Sequence, residues 1–210
     1  MMGMTKSIPR NRTDKESVIF EAALKTIKQK GYHRARISDI ADAAGISYGL
    51  VYHYFKNKED LFDTIFKQWW EGLFALMADI SHKESPIADK LKQVILYFFD
   101  TYHTDPELVN VFITEISRST ANLTTVRLHY FKEFMGLVED VIREGQQRGT
   151  FRKDLNARYL TYIFLGAVET FLSAMVLEDQ KIKGDAQKNR IADTIIEVFL
   201  RGASDQRNRG

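Results

Sequence analysis

Two of the three prolines in this 210-residue chain, Pro86 and Pro106, stand directly after a Ser or an Asp, in S85-P86 and D105-P106-E107. A proline there costs a helix nothing, because the first-turn N–H it lacks would have no intrahelical partner and the preceding side chain caps the end. The third, Pro9, precedes every helical stretch. No proline is left to interrupt a helix, and no segment sustains the apolar–polar alternation of a half-buried strand. The fold class is therefore all-α.

Starts and stops can be followed along the chain. T13-x-x-E16 has the pattern of a capping box, and Ile19, Phe20, Ala23, Leu24 and Ile27 form one stripe before Gly31 ends the first helix. A short second helix covers Ile37–Ala44, Gly45 breaks the chain, and Ser47 caps a third, so 37–55 reads as helix, tight turn, helix. Asn57 caps a long fourth helix, while G149-T-F-R-K-D154 and Gly184-Asp185 are interhelical turns. The total is about nine helices. No repeat or flexible linker separates them, and the end from Ser204 onward is expected to fray.

Composition excludes several classes. The absence of cysteine rules out disulfides, Cys-based zinc sites and a Cys nucleophile, which fits a reducing compartment. By this reading no run reaches the roughly 18–20 apolar residues of a membrane span, and the N-terminus lacks a signal-peptide core. A soluble, cytoplasmic chain with no membrane partner is expected. There is no Gly-rich phosphate loop and no G-x-S-x-G elbow, and the five histidines (33, 53, 82, 103 and 129) are scattered. His129 and Glu133 lie one turn apart, as solvated surface pairs often do. No enzyme, metal or cofactor is expected.

Charge is uneven: residues 1–60 carry 11 Lys and Arg against 7 Asp and Glu, whereas residues 61–210 carry 19 against 21. Within the basic end, projecting Ser47–Phe55 on a helix with Val51 inward places Tyr54 and Phe55 toward Ile40, Ala41 and Ala44. Gly49 and His53 then face outward, with Leu50 and Tyr52 beside them. A residue without a side chain flanked by donor and acceptor rings suits close approach to a DNA groove, where Leu50 can meet a thymine methyl. Lys56 and Lys58 would meet the sugar–phosphate backbone.

The run from Gly31 to Leu61, G-Y-H-R-A-R-I-S-D-I-A-D-A-A-G-I-S-Y-G-L-V-Y-H-Y-F-K-N-K-E-D-L, resembles the DNA-binding signature of the TetR family of bacterial transcriptional regulators. The resemblance implies an all-α homodimer, with a helix-turn-helix domain (residues 1–57) joined through the fourth helix to a ligand-binding and dimerisation domain (58–210). It places Tyr52, His53 and Lys58 against DNA, Tyr48 and Leu50 at the recognition surface, and Ile40, Ala41, Ala44, Val51 and Phe55 in the core; Ser47 and Gly49 are expected to join the DNA-facing set. Arg36 departs from the family pattern, in which a Thr or Ser caps the second helix, and a phosphate contact is its expected role. The N-terminal arm, with Lys6, Arg10 and Arg12, resembles arms that reach toward DNA in some members, although a basic tail has the same composition.

Twelve of the fourteen phenylalanines and both tryptophans follow residue 60. Trp69, Trp70, Phe74 and Met77 on the fourth helix, Phe98, Phe99 and Tyr102 on the fifth, Phe112, Ile113 and Ile116 on the sixth, and Phe131, Phe134 and Met135 on the seventh can line an apolar cavity. Glu115, Arg118, Arg127 and Tyr130 are polar residues for its mouth. On the last two helices, the stripes Tyr159, Ile163, Gly166, Ala167, Thr170, Phe171 and Ile191, Ile195, Val198, Phe199, Gly202 suit a two-fold four-helix dimer interface.

Segments V111-F-I-T-E-I-S-R, V141-I-R-E-G-Q-Q-R-G-T-F-R-K-D-L and F164-L-G-A-V-E-T-F resemble, more loosely, the ligand domains of TetR-type repressors of fatty-acid degradation, which respond to long-chain acyl-CoA. The expected function is a repressor bound to palindromic double-stranded operator DNA and released by a hydrophobic effector. Arg118 and Arg127 would hold a CoA anion. A drug-sensing repressor with Glu115 or Glu169 facing a cationic ligand is the alternative, and a helical lipid carrier or small enzyme is the competitor from another class.

Overall fold

The computed structural model describes residues 14–116 and 125–203. Thr13, the arm residues Lys6, Arg10 and Arg12, Arg118 and the C-terminal tail lie outside them. The helices are α1 Asp14–Lys30, α2 Ile37–Ala44, α3 Tyr48–Tyr54, α4 Lys58–Ser81, α5 Ile87–Thr104, α6 Pro106–Val111, α7 Thr125–Gln147, α8 Ala157–Leu177 and α9 Asp185–Ala203. A π-helical turn, Phe112–Ile116, continues α6. There is no β-strand among the described residues, in agreement with the all-α reading.

The helices group into two compact units. One contains the described residues up to Gly72 together with those from Thr104 to Leu128; the other contains Leu73–His103 and the residues from His129 onward. The expected functional boundary at 57/58 falls inside the first.

In the first unit, the α1 stripe Ile19, Phe20, Ala23, Leu24 and Ile27 is buried with Ile40, Ala41, Val51, Phe55, Leu61 and Phe62. Phe20 and Phe55 pack with ring centroids 5.6 Å apart. Each chain reversal has a local cause. Gly45 adopts φ 65°, ψ 33°, a left-handed conformation open to glycine at little cost, and closes the end of α2 as Gly45 N–H and Ile46 N–H donate to Asp42 and Ala41 carbonyls. Ser47 Oγ accepts the Leu50 N–H at 3.3 Å to start α3. Asn57 Oδ1 accepts the Asp60 N–H at 2.8 Å to start α4, and Asp105 Oδ1 accepts the Leu108 N–H at 3.2 Å to start α6. At α2 the cap is inverted. Arg36 has only donors, so the Asp39 carboxylate accepts the Arg36 N–H at 3.0 Å instead.

In the second unit, Phe151 plugs the space between α7 and α9. It is fully buried, its ring lies 5.5 Å from Phe199, and Phe199 lies 5.4 Å from Phe164. A Cβ on Gly145 would stand 2.4 Å from the Phe151 ring, so only a glycine fits there. Gln146 Nε2 holds the turn by donating to the Arg152 and Leu155 carbonyls at 2.8 and 2.7 Å. Lys90, fully buried, donates to both oxygens of Glu144 at 2.9 Å and fastens α5 to α7.

Contrary to the expectation that no run is apolar enough for a membrane span, α8 is: its mean hydropathy reaches 1.8, yet only 33% of that window is buried within the protomer. A buried core helix would be covered all round, so this helix has an unmatched apolar face.

Candidate functional site

The α3 face opposite Val51 is built as projected. Val51 is fully buried, whereas Tyr48 is 54% and Tyr52 42% exposed. Gly49 and His53 are exposed beside them, and Leu50 is half-buried. Nothing lies within 4 Å of where a Gly49 Cβ would be, so packing inside the protomer does not demand a glycine. The two phenols form a unit that the sequence did not reveal: their rings are 4.8 Å apart, and Tyr48 Oη donates to Tyr52 Oη at 3.2 Å. The Tyr52 pKa lies above the ordinary phenol value, chiefly through its hydrogen bond with Tyr48. Spacing of i, i+4 on a helix was the signal that could have found it. Ser47 is exposed but occupied as the cap, and Lys56 is exposed.

Lys58 requires a correction. Its ammonium turns inward, donating to the carbonyls of Tyr32 at 2.6 Å and Ala35 at 3.1 Å, with the Tyr32 ring centroid 4.5 Å away. Burial lowers its pKa. The α1–α2 turn exposes backbone carbonyls that need donors, and Lys58 is the cation within reach. Arg36, by contrast, is exposed, and with Lys30, His33, Arg34 and Asp39 it rims an open concavity of about 510 Å³. The Asp39 carboxyl is held below the usual range, chiefly by its bond to Lys30 at 2.9 Å.

The residues expected around an apolar cavity divide between the units. Trp69, Trp70 and Ile113 are buried in the first, where the Trp69 ring packs 5.4 Å from Phe112. Met77, Phe99 and Phe134 are buried in the second, with Phe74 against Tyr130 at 5.9 Å and Phe98 against Phe134 at 5.8 Å. Phe74, Phe98 and Met135 remain half-buried. Three residues differ from expectation. Phe131 is 45% exposed, although it stands one turn before the buried Phe134. Tyr102 is buried, its hydroxyl donating to the Gln180 carbonyl at 2.6 Å, with the Met175 carbonyl at 3.3 Å, which ties α5 to the C-terminal end of α8. Arg127 is 3% exposed and paired with Asp63 at 2.6 Å, inside the first unit rather than at a cavity mouth. The side chains of Glu115 and Ile116, and all of Arg118, lie outside the described residues.

The uncovered face of α8 carries Tyr159, Ile163 and Phe171, with Tyr162 and Leu177, which the sequence reading omitted; Val198 is the exposed apolar residue of α9. Thr170 and Gly202 are exposed, Gly166, Ala167 and Ile191 half-buried. Ile195 and Phe199 are corrections: both are buried within the protomer, Phe199 against Phe151 and Phe164, so neither is available to a partner.

Residues 19–65 match the family described as bacterial regulatory proteins, tetR family, and residues 66–198 match the YsiA-like protein, C-terminal region. The chain is 27% identical over 187 residues to the fatty acid metabolism regulator protein of Bacillus subtilis, spanning 89% of this chain and 96% of that one. Among solved structures it is similar to the transcriptional regulator FadR from Bacillus subtilis in complex with stearoyl-CoA (TM-score 0.77, 26% identity, 89% of this chain and 98% of that one). It is also similar to the fatty acid degradation regulator FadR from Bacillus halodurans (TM-score 0.75, 26% identity, 92% and 98%).

Proposed function

We infer the function of this chain from the fact that it belongs to the TetR family of bacterial regulatory proteins: it is a ligand-responsive, DNA-binding transcriptional repressor rather than an enzyme. It acts as a homodimer in which two copies of α3 enter successive major grooves of a palindromic operator. The observation that carries the DNA reading is the α3 face itself, where Tyr48, Gly49, Tyr52 and His53 stand in solvent while Val51 is fully buried. Phenols and an imidazole can bond phosphates or base edges, and Gly49 lets backbone come close. Arg36 and Lys56 supply phosphate contacts outside the groove. Its place of action is the cytoplasm.

The effector is a long-chain acyl-CoA. In support, the Bacillus subtilis FadR that this chain resembles was solved with stearoyl-CoA, and the described aromatic residues of α4, α5 and α7 supply apolar surface of the right kind. Each buried CH₂ contributes about 0.8 kcal/mol, so a long chain can provide much of the affinity. Release of DNA further requires that the effector bind the DNA-incompetent arrangement more tightly, because equal affinity for both would shift nothing.

Selection of duplexes from a random-sequence pool tests the DNA reading. An enriched palindrome, lost for Tyr52→Ala and His53→Ala variants of unchanged melting temperature, is expected. Failure to enrich any sequence would contradict it.

A further inference from the structure

The first residues of α7, Thr125–Leu128, belong to the unit that holds α1–α3, and the helix then continues unbroken to Gln147. Arg127 is buried at this start, with Nε 2.6 Å from Asp63 Oδ1 on α4. Its guanidinium carbon lies 5.6 Å from the ring centroids of both Tyr32 and Phe66, so the cation rests against both rings. Tyr32 occupies the α1–α2 turn. Its ring packs edge-on against Phe62 at 5.4 Å, and its carbonyl accepts from Lys58 at 2.6 Å. One side chain of α7 thus grips α4 and the turn that leads into α2.

Stability alone does not account for this arrangement. Taking a cation and a carboxylate out of water costs several kcal/mol per ion, and apolar residues of similar volume commonly hold such a place as well or better. What the ion pair supplies is register: it is formed in one placement of α7 and lost when Arg127 is drawn back, whereas apolar contacts tolerate sliding.

We propose that Arg127 is a positioning residue for DNA recognition: through Asp63 and Tyr32 it fixes the α1–α2 turn, and it is the joint at which movement of α7 loosens the helix-turn-helix. The positioning part stands on the first unit alone. The part concerning movement rests on the effector reading given above. Farther along α7, Tyr130 and Phe134 pack on Phe74 and Phe98, so a ligand wedged among those rings shifts the helix that carries Arg127. No second binding site is required, only a helix stiff enough to move as one piece.

The variant that tests this is Arg127→Met combined with Asp63→Leu, which keeps the volume filled and leaves no unpaired charge. It is expected to keep its melting temperature within a few degrees while amide exchange at residues 31–36 accelerates at least tenfold in the effector-free protein. Binding to a duplex selected by the wild type should weaken at least tenfold, and the factor by which stearoyl-CoA weakens that binding should shrink at least fivefold. A merely structural role would change both affinities together and leave their ratio alone. A folded double variant with wild-type exchange and wild-type duplex affinity overturns the positioning role; an unchanged ratio overturns the coupling. If stearoyl-CoA does not release even the wild type, the effector reading fails and the coupling falls with it, while exchange and effector-free affinity still decide the positioning role. Should the double variant not fold, Arg127→Lys, which keeps the charge but loses the planar guanidinium that lies against the Tyr32 and Phe66 rings, is read by the same three measurements.

Discussion

Lys58 shows how a single side chain can match a pattern and do other work. Its position in the K56-N-K-E-D run led to a phosphate contact, yet its ammonium serves the Tyr32 and Ala35 carbonyls. Lys58→Ala is therefore expected to lower stability by about 1–2 kcal/mol, since the bonds of a partly exposed charge to three backbone carbonyls are lost, and to change the salt dependence of DNA binding little. A log–log salt slope reduced by about 0.9 with no loss of melting temperature would contradict this and restore the phosphate role. Acid sensitivity is also a residue-scale property. Asp39, Glu139 and Asp185 have carboxyl pKa values below their ordinary ones, chiefly through bonds to Lys30, Arg158 and Lys188 respectively. A depressed folded-state pKa contributes stability that is present above the unfolded value and lost as pH falls through the folded one. The melting temperature should drop as pH falls below the ordinary carboxylate range, and Glu139→Gln should make that decline shallower; an identical slope would remove Glu139 from the account.

At the scale of elements, the Gly145–Phe151 contact makes a sharp prediction. A methyl group at 145 would overlap the ring, so Gly145→Ala should cost about 1–3 kcal/mol or more, because overpacking a dense core forces its neighbours out of position. Thermal unfolding at or above the wild-type temperature would mean the turn yields more easily than its packing indicates. This contact illustrates what was legible. The turn at G149-T-F-R-K-D was plain from its glycine and polar residues, but nothing in the spacing says that Phe151 inserts against a glycine four positions before Gly149. Caps and stops at Gly45, Ser47, Asn57 and Asp105 were readable because they act within a few residues. The α3 face was readable because Val51, Tyr52 and His53 obey one helical period. Arg127, Tyr102 and Phe199 were misplaced for a common reason: periodicity locates a residue on a helix face but not which element covers it. Arg127 looked like a mouth cation and is buried against Asp63, while Phe199 looked like interface and fills the protomer's own core.

For the whole molecule, the proposed dimer is expected to cover the exposed side of α8. Ile163 and Val198, 62% and 67% exposed in the protomer, are the residues whose change should act on assembly alone. Ile163→Glu or Val198→Glu is expected to give a folded monomer by sedimentation at micromolar concentration, whereas Phe199→Glu should unfold the protomer; a stable dimer in both exposed-site variants would move the interface elsewhere. DNA affinity should fall with the dimer, since one α3 reads only half of a palindrome. A long acyl chain bound by this dimer is proposed to free its operator, and the most direct measurement is fluorescence anisotropy of a labelled, wild-type-selected duplex titrated with acyl-CoA esters of increasing chain length. Release is predicted at progressively lower concentration as the chain lengthens, with stearoyl-CoA effective and free CoA inert. Anisotropy unchanged by any acyl-CoA but lowered by a cationic dye would contradict the claim and assign the protein to a different effector.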